Sequence, residues 1–145
     1  MKVSTKGRYA LRLMIDLAEH NNGKYITLKE ISARQKISVK YLEQIVVLLS
    51  KAGLLESVRG PQGGYKLAKK PSKYTAGDIL RVTEGSLAPV VCLETKTNKC
   101  VSYDKCSTVD FWQGLYNSIQ NYVDSVTLED LVSKHIGKTS NDFSI

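Results

Sequence analysis

The chain has 145 residues, of which 42% are hydrophobic and 24% are charged, and its formal net charge is +7. This length allows one domain with its own core, or one small domain with an attached element. No apolar run approaches the roughly 18 residues of a membrane-spanning helix, and the first residues lack the apolar segment of a signal peptide, so we expect a cytoplasmic protein.

Positive charge is concentrated in the first part of the chain. Residues 1–85 contain 16 Lys and Arg against 7 Asp and Glu, whereas residues 86–145 contain 5 against 7. Clustered positive charge favours a polyanionic partner, because binding releases counterions. A membrane surface would require an amphipathic helix with exposed aromatic residues, and the basic helix described below keeps its apolar face for the core. We therefore expect nucleic acid, and no membrane, as the partner.

A first helix is predicted from a cap at Ser4 or Thr5 to about His20. Its predicted buried stripe consists of Leu11, Met14, Ile15 and Ala18. Lys6 and Arg8 lie in its first turns, where positive charge opposes the helix dipole. Contact with phosphate groups would offset that small cost, so we assign both residues to the DNA-binding surface.

Two further helices follow with a very short connection between them. Thr27 and Glu30 form a capping-box pattern that starts the second helix, which stops near Ile37. Ser38 can cap the third helix. The third helix has a single apolar face, at positions i, i+3, i+4 and i+7, formed by Leu42, Ile45, Val46 and Leu49. This arrangement predicts a helix-turn-helix whose second helix is the recognition element.

A β-hairpin is predicted directly after the recognition helix. Residues 54–58 and 65–67 read as two short strands, and the tip between them is rich in Gly and includes Arg59 and Pro61. A basic helix beside a hairpin with an arginine at its tip fits one groove of duplex DNA and its neighbour. The alternative is a surface helix with solvated lysines beside an ordinary hairpin. The first interpretation makes the unit a winged helix-turn-helix.

A longer helix is predicted from about Ser107. One apolar seam repeats at spacings of three and four residues: Val109, Trp112, Tyr116, Ile119, Val123 and Val126. Phe111, Leu115 and Tyr122 form a second stripe. A helix with two apolar stripes can bury one against its own domain and the other against a second copy, so we infer a homodimer. The predicted interface residues are Trp112, Tyr116, Ile119 and Val123. A core helix buried within a monomer is the alternative.

Together these elements predict a mainly α protein with a small β wing. A winged helix-turn-helix DNA-binding domain would occupy residues 1–85, with Thr75 capping its last helix. A linker and a cysteine loop would follow over residues 86–106. The dimerisation helix and a final short helix, capped by Thr127, would occupy residues 107–135, and residues 136–145 read as a flexible tail.

All three cysteines, Cys92, Cys100 and Cys106, lie within fifteen residues of a polar segment. An odd number of cysteines in a reducing compartment argues against a disulfide framework. Structural zinc sites use closer Cys-x2-Cys pairs, whereas an iron-sulfur cluster tolerates loop spacings. Metal ligation, redox-active free thiols and chance clustering therefore stay open, and the spacing favours ligation over free thiols. Cys106 precedes the long helix, whose dipole would lower the thiol pKa and favour the thiolate.

Several segments resemble one known family over nearly the whole chain, to about residue 135. They are STKGRYALRLMIDLA, SVKYLEQIVVLLSKAGLLESVRGPQGGY, TAGDILRVTEG, the three cysteines, FWQGL and VTLEDLV. The sequence is similar to the Rrf-type family of winged helix-turn-helix regulators. That family includes iron-sulfur cluster regulators of the IscR type, nitric-oxide sensors of the NsrR type and cysteine-metabolism repressors of the CymR type. The resemblance implies a homodimeric transcription factor in which the long helices cross.

The resemblance also implies roles for individual residues. Those expected to face DNA, together with Lys6 and Arg8, are Ser38, Lys40, Tyr41, Glu43 and Gln44 in the major groove, with Arg59, Gly60, Gln62 and Gly63 of the wing. Arg59 would enter the minor groove. Cys92, Cys100 and Cys106 fall on the cluster ligands of IscR-like members, and we favour a 2Fe-2S over a 4Fe-4S cluster.

The fourth iron ligand is left open by one departure from the IscR pattern. IscR-like members have a histidine three residues after the last cysteine, where this chain has Val109. Asp110 is adjacent, but Ser107 and Asp110 also form a capping-box-like pair, which favours a capping role. Asp104, a residue of the other subunit, or a small thiol would be alternatives.

The sequence therefore predicts a DNA-binding regulator, a repressor, that senses iron-sulfur cluster status or redox state. One alternative is a CymR-like repressor controlled by thiol oxidation or by cysteine synthase, an enzyme that binds partner peptides ending in isoleucine, as this chain does at Ile145. A basic iron-sulfur carrier is a further alternative. No phosphate-binding Gly loop or Ser/His/Asp set indicates an enzyme.

Overall fold

The computed structural model describes residues 2–95 and 100–142. Within these ranges it contains six α-helices and one antiparallel pair of strands. They are α1 (Thr5–Glu19), α2 (Leu28–Gln35), α3 (Val39–Lys51), β1 (Leu55–Val58), β2 (Gly64–Leu67), α4 (Ala76–Glu84), α5 (Val109–Ser125) and α6 (Leu128–Asp142). The predicted fold class, mainly α with a small β wing, is confirmed.

Helix α1 begins at Ser4, whose Oγ accepts a hydrogen bond from the Gly7 N–H at 3.1 Å. Its buried face differs from the predicted stripe. The deepest residues are Ala10, Leu13, Met14 and Leu17, whereas Leu11, Ile15 and Ala18 are only half-buried. Apolar residues occupy more than half the circumference of α1, so the spacing alone does not identify the face that meets the core.

The helix-turn-helix forms as predicted. Thr27 and Glu30 make the reciprocal capping box of α2, and Ser38 Oγ accepts the Tyr41 N–H at 3.1 Å to cap α3. Between the helices, Lys36 adopts the left-handed conformation, with φ of 56°. This single residue reverses the chain direction, which is why so short a connection suffices.

The wing is an antiparallel hairpin with Leu55 opposite Leu67 and Val58 opposite Gly64. Its second strand also pairs with the segment before α2, where the Ile26 N–H donates to Tyr65 O at 2.9 Å and the Tyr65 N–H donates to Ile26 O at 2.8 Å. Gly64 has φ of +148°, and a Cβ there would lie 2.3 Å from Ile26 O. Only glycine therefore allows this close approach, which fixes the base of the wing to the helix-turn-helix.

The core of the domain is closed by a buried tyrosine between the wing and the C-terminal part of the chain. The Tyr74 hydroxyl donates to Leu54 O at 2.7 Å and accepts the Lys69 N–H at 2.9 Å. Tyr74 O accepts the N–H of Leu128, the first residue of α6, at 3.0 Å. A buried hydroxyl without partners would destabilise the fold, so the two hydroxyl bonds offset its burial, and the backbone bond ties α6 to the same residue.

The C-terminal elements differ from the prediction at two places. Helix α5 is capped at Thr108, one residue later than predicted, and α6 continues to Asp142, seven residues beyond the predicted end at His135. Residues 136–142 are therefore helical, whereas residues 143–145 lie outside the described part. Gly137 lies inside α6 and lacks the positive φ that a helix-terminating glycine takes. In the described ranges, no helix is both long and apolar enough to cross a bilayer.

Candidate nucleic-acid interface and cysteine segment

The outer face of α3 is polar and open to solvent. Ser38, Lys40, Glu43 and Gln44 are exposed, because Leu42 and its neighbours on the opposite face are buried in the core. Tyr41 is half-buried and packs edge-on against Tyr9 of α1, with ring centroids 5.6 Å apart. The predicted major-groove residues thus share one surface, although Tyr41 contributes only part of its side chain.

The wing tip presents Arg59, Gly60 and Gln62 to solvent, whereas Gly63 is buried. A Cβ on Gly63 would lie 2.3 Å from Val58 O, and its N–H donates to Gly60 O at 2.9 Å. Gly63 therefore shapes the turn rather than offering a side of it to a ligand. Its predicted place on the DNA-binding surface stays a prediction.

A cavity of about 320 Å³ separates α3 from the wing. Lys51, Ser57 and Arg59 line it, together with Ser50, whose buried Oγ has no hydrogen-bond partner within the described residues. The sequence analysis placed Lys51 on no site and did not consider Ser57. The packing of the end of α3 against β1 brings Lys51 and Ser57 to the same cavity, and no local sequence pattern predicts this packing.

The start of α1 is tied to the end of α4. Arg8 is exposed, which a contact with phosphate would require, whereas Lys6 is half-buried. The Ser4 N–H and hydroxyl both donate to the Glu84 carboxylate, the hydroxyl at 2.8 Å. A carboxylate at a helix N-terminus is stabilised by the helix dipole. The sequence analysis missed this contact, because 80 residues separate the two partners.

An ion pair between a buried carboxylate and an exposed arginine joins α1 to the last turn of α2. Asp16 is wholly buried and accepts from Arg34 Nε at 3.0 Å, from Arg34 Nη2 at 2.7 Å and from Gln35 Nε2 at 2.8 Å. The hydrogen bonds with Asp16 raise the pKa of the Arg34 guanidinium. Gln35 also accepts two hydrogen bonds from Arg12 of α1, one to its Oε1 at 3.2 Å and one to its backbone carbonyl oxygen. We call these contacts the Asp16 clasp. They fix the end of α2 at Gln35, which lies three residues before Ser38, the cap of α3. An acidic residue on the buried face of α1 was the available signal.

The three cysteines lie on separate short segments. Cys92 is half-buried in a 3-10 turn (Val91–Leu93), Cys100 is exposed, and Cys106 follows a second 3-10 turn (Tyr103–Lys105) just before α5. The predicted iron ligands are not gathered: within residues 2–95 and 100–142, no three His, Cys, Asp or Glu side chains form a group that could hold a metal. Three thiols suit an iron-sulfur cluster chemically, but this arrangement does not place them around one point.

The Cys106 thiol lies within hydrogen-bonding distance of the N-cap residue of α5. Trp112 Nε1 donates to Thr108 Oγ1 at 3.2 Å, which leaves the Thr108 hydroxyl hydrogen for Cys106 Sγ, 3.4 Å away. The Thr108 side chain, followed by the backbone N–H groups of Thr108 and Val109, lowers the pKa of the Cys106 thiol. The predicted direction of the shift is therefore confirmed. Its main cause is hydrogen bonding to the thiolate rather than the helix dipole.

The predicted capping pair at the start of α5 does not form. Thr108 is the N-cap residue, and no side chain caps the helix, so Ser107 and Asp110 do not make a capping box. The Thr108 hydroxyl is instead engaged with Trp112 and Cys106. Capping consequently gives no reason against Asp110 as a ligand.

Helix α5 has no buried residue. Among the predicted interface residues, Ile119 and Val123 line a cavity of about 230 Å³ together with Leu80 and Leu87 of the same chain. Trp112 and Tyr116 are half-buried. The second stripe is the more open one, since Phe111 is 64% and Tyr122 is 66% exposed. The described chain therefore covers part of the predicted seam and leaves the other stripe uncovered.

The family profile described as "Rrf2: Iron-dependent Transcriptional regulator" matches residues 3–134. The HTH-type transcriptional regulator CymR of Bacillus subtilis is 42% identical over 133 residues, which is 92% of this chain and 91% of that protein. The HTH-type transcriptional regulator IscR of Pectobacterium atrosepticum is 37% identical over 133 residues, covering 92% and 80% of the two chains.

The chain is also similar to solved structures of the same two kinds of regulator. The structure of B. subtilis CymR, described as its global cysteine regulator, superimposes with a TM-score of 0.75 at 40% identity, covering 92% of this chain and 98% of that one. The T. potens IscR structure gives a TM-score of 0.72 at 41% identity, with coverages of 93% and 88%.

Proposed function

The chain belongs to the Rrf2 family of transcriptional regulators, and on this premise we propose that it is a homodimeric repressor controlled through its cysteine segment. The relatives are named as transcriptional regulators, which confirms both the resemblance found in the sequence and the expectation that the chain is not an enzyme. The DNA site, the dimer and the sensed signal are the steps that go beyond family membership.

The observation that carries the DNA site is that the exposed face of α3 reaches, at Val47 and Lys51, the same cavity that Arg59 of the wing tip lines. In the major groove, Gln44 suits adenine, Lys40 suits guanine and Glu43 suits the amino group of cytosine. A backbone phosphate between the two grooves would fit the cavity, where Lys51 and Ser57 offer a charge and a hydroxyl.

Base-reading and phosphate contacts should respond differently to substitution. An operator is first selected from random duplexes with the unchanged protein, and affinities are then measured by fluorescence anisotropy. Gln44→Ala should cost about 1–3 kcal/mol on the selected duplex and little on a random duplex. Lys51→Ala should weaken both and reduce the salt dependence. Lys73→Ala, an exposed lysine on another surface, is the matched control. Equal affinity of all variants would contradict the proposed interface.

We place the dimer contact on α5, because Phe111 and Tyr122 leave an apolar stripe uncovered in the described chain. A two-fold dimer would present two recognition helices to half-sites about 34 Å apart on one face of the duplex. The operator should accordingly be palindromic or pseudo-palindromic.

The proposed sensor is an iron-sulfur cluster held by Cys92, Cys100 and Cys106, of the 2Fe-2S type, with Asp104 or Asp110 as candidates for the fourth ligand. Its support is the iron-dependent description of the family and the chain's 37% identity with an IscR. A bound cluster would supply a group that responds to iron and oxidants. The lowered pKa of the Cys106 thiol favours ligation, since thiolates are the ligand form.

The cluster proposal is tested by anaerobic purification, a visible absorption spectrum and a count of iron and sulfide per chain. We expect colour that disappears in the Cys92/Cys100/Cys106→Ala variant, and a change in DNA affinity on cluster loss. A colourless, metal-free protein that binds DNA as tightly as the variant would contradict it.

A second candidate is a CymR-like repressor of cysteine metabolism controlled by thiol oxidation or by cysteine synthase. Its specific support is the 42% identity with B. subtilis CymR. A cysteine synthase would bind the C-terminal Ile145, which lies outside the described residues. Co-elution of the enzyme with the full chain, and not with a chain that lacks Ile145, would support this candidate over the cluster sensor.

A further inference from the structure

We propose that the cleft between α1 and α6 binds a small organic anion with an apolar body, and that the bound anion alters DNA affinity through Arg12. The cleft has a volume of about 340 Å³. That volume falls within the range of small-molecule sites, which run from about 300 to 1,000 Å³. The binding step is independent of the proposed function, whereas the effect on DNA rests on it.

The lining of the cleft selects the ligand class. Arg12 of α1 and Lys134 and Lys138 of α6 supply three positive charges, and Ile15 and Leu131 supply an apolar floor. No acidic residue is among the described residues that line it. The nearby Glu19 carboxylate is bonded to His135 Nδ1. A carboxylate, sulfonate or phosphate on an apolar body of one or two rings matches this combination, because arginine binds such groups bidentately.

Arg12 connects the cleft to the recognition helix by contacts on both of its sides. Its guanidinium donates to the side chain and the carbonyl of Gln35, the last residue of α2, and lies 5.1 Å from the Tyr9 ring centroid. Tyr9 packs edge-on against Tyr41, which lies on α3. Gln35 occupies the Nε and Nη2 donors of Arg12, so an anion that binds this edge of the guanidinium bidentately would compete with Gln35 for the same N–H groups.

This competition defines two states of the protein. In one, Arg12 holds the end of α2, as in the described structure; in the other, Arg12 binds the anion and Gln35 loses two of its bonds. An anion shifts the balance only by binding the second state more tightly. Thermodynamic linkage then makes the effect reciprocal. If the bound anion changes the affinity of the protein for DNA by some factor, bound DNA changes the affinity of the protein for the anion by the same factor.

The binding step is tested by calorimetric titration of the full chain with naphthalene-1-sulfonate at low salt. We expect binding at least tenfold tighter than that of the neutral naphthalene-1-methanol. Lys134→Gln with Lys138→Gln should weaken sulfonate binding about tenfold, and Lys2→Gln, at the separate cavity beside α4, should leave it unchanged. Because these α6 lysines are exposed, the double variant should stay folded. Equal affinity for the two probes, or no loss in the double variant, would overturn the site.

The effect on DNA is tested by anisotropy with a random-sequence duplex, at constant ionic strength adjusted with methanesulfonate. Naphthalene-1-sulfonate at a concentration that fills most of the unchanged chain should change the DNA affinity of that chain at least threefold. The same concentration fills much less of the Lys134/Lys138 double variant, so its DNA affinity should change by a smaller factor than in the former. An unchanged affinity in the former would overturn the coupling. A chain that binds no DNA without any probe would instead refute the proposed function and leave the calorimetric result standing.

Discussion

The winged-helix part of the chain and the long helix α5 differ in how completely their apolar residues are covered. Leu42, Ile45 and Leu49 of α3 are 0% exposed. In contrast, α5 has no buried residue, and Phe111 and Tyr122 each expose about two thirds of their surface. Exposed apolar patches of this kind mark interaction sites rather than folding defects. The first region therefore folds on contacts within one chain, whereas the second carries the surface that we propose for the dimer contact.

The largest expected effect tests this contrast directly. Leu42→Ala should lower the free energy of unfolding by about 2–5 kcal/mol, because it leaves a cavity in a core that relaxes only partially. Leu115→Ala on α5 is the matched control, and its cost should depend on protein concentration. Urea unfolding at several concentrations measures both. A concentration-independent loss at Leu115 as large as that at Leu42 would show that α5 belongs to the core of the single chain.

The Asp16 clasp, with its shortest contact at 2.7 Å, should matter more than the exposed ion pair between Lys66 and Glu56, at 3.7 Å. Asp16→Asn leaves Arg34 without its charged partner, and because Arg34 is one-third exposed we expect a loss of about 2–3 kcal/mol, below the full cost of breaking a buried pair. Glu56→Gln, which removes the exposed pair with Lys66, should change stability by less than about 0.5 kcal/mol. Thermal unfolding compares the two. Operator affinity should also fall for Asp16→Asn at temperatures where it remains folded.

The uncovered stripe of α5 should control self-association and leave the winged-helix domain intact. The Phe111→Ser, Tyr122→Ser double variant should raise the dimer dissociation constant at least about tenfold, since burying each ring contributes about 1.5–3 kcal/mol. Sedimentation equilibrium measures the constant, and circular dichroism checks the fold. Val47→Ser, an exposed apolar residue on α3, is the control. Unchanged association in the double variant would move the interface away from this stripe.

Thiol reactivity at Cys106 should depend on a single hydroxyl. Thr108→Val removes the side-chain donor that lowers the Cys106 pKa, so the pKa should rise and the thiolate fraction at neutral pH should fall. Iodoacetamide should then modify Cys106 several-fold more slowly at pH 7, with the difference vanishing at high pH where both proteins are ionised. Peptide mass analysis against Ser107→Ala gives the rate. Equal rates at pH 7 would show that the hydroxyl does not act on the sulfur.

The smallest expected effect concerns the ion pair between α4 and α5. Arg81 binds Asp124 through two bonds of 2.7 and 2.9 Å and lowers the Asp124 pKa. A depressed carboxyl pKa stabilises the fold above the unfolded-state pKa, and this contribution is lost as pH falls through the folded-state pKa. Both side chains are partly solvent-exposed, so Arg81→Gln should cost only about 0.5 kcal/mol at pH 7 and nothing in acid. Melting curves across this pH range, with Asp124→Asn as the reciprocal variant, test the sign.

Much of the DNA-binding region could be predicted because its signals are local. The capping box at Thr27, the cap at Ser38 and the Gly-rich turn between β1 and β2 each act within four to six residues. The positions of Lys40 and Gln44 on the exposed face followed from the helical period. Three contacts were not predicted, because each joins residues that are distant in the chain. They are the Asp16 clasp, the Ser4 contact with Glu84 and the pairing of Ile26 with Tyr65.

The sequence by itself therefore determined the helices, the wing and the charged face of α3, because propensity, capping and periodicity depend on near neighbours. Its resemblance to the Rrf-type family rests instead on whole segments of matching sequence, and the family profile over residues 3–134 confirms it. Only the tertiary structure decided which face of α1 meets the core, that Asp16 binds Arg34 of α2, and that the three cysteines do not form one group among the described residues. Those outcomes depend on contacts between residues far apart in the chain, where many pairings satisfy the same local pattern and packing selects one.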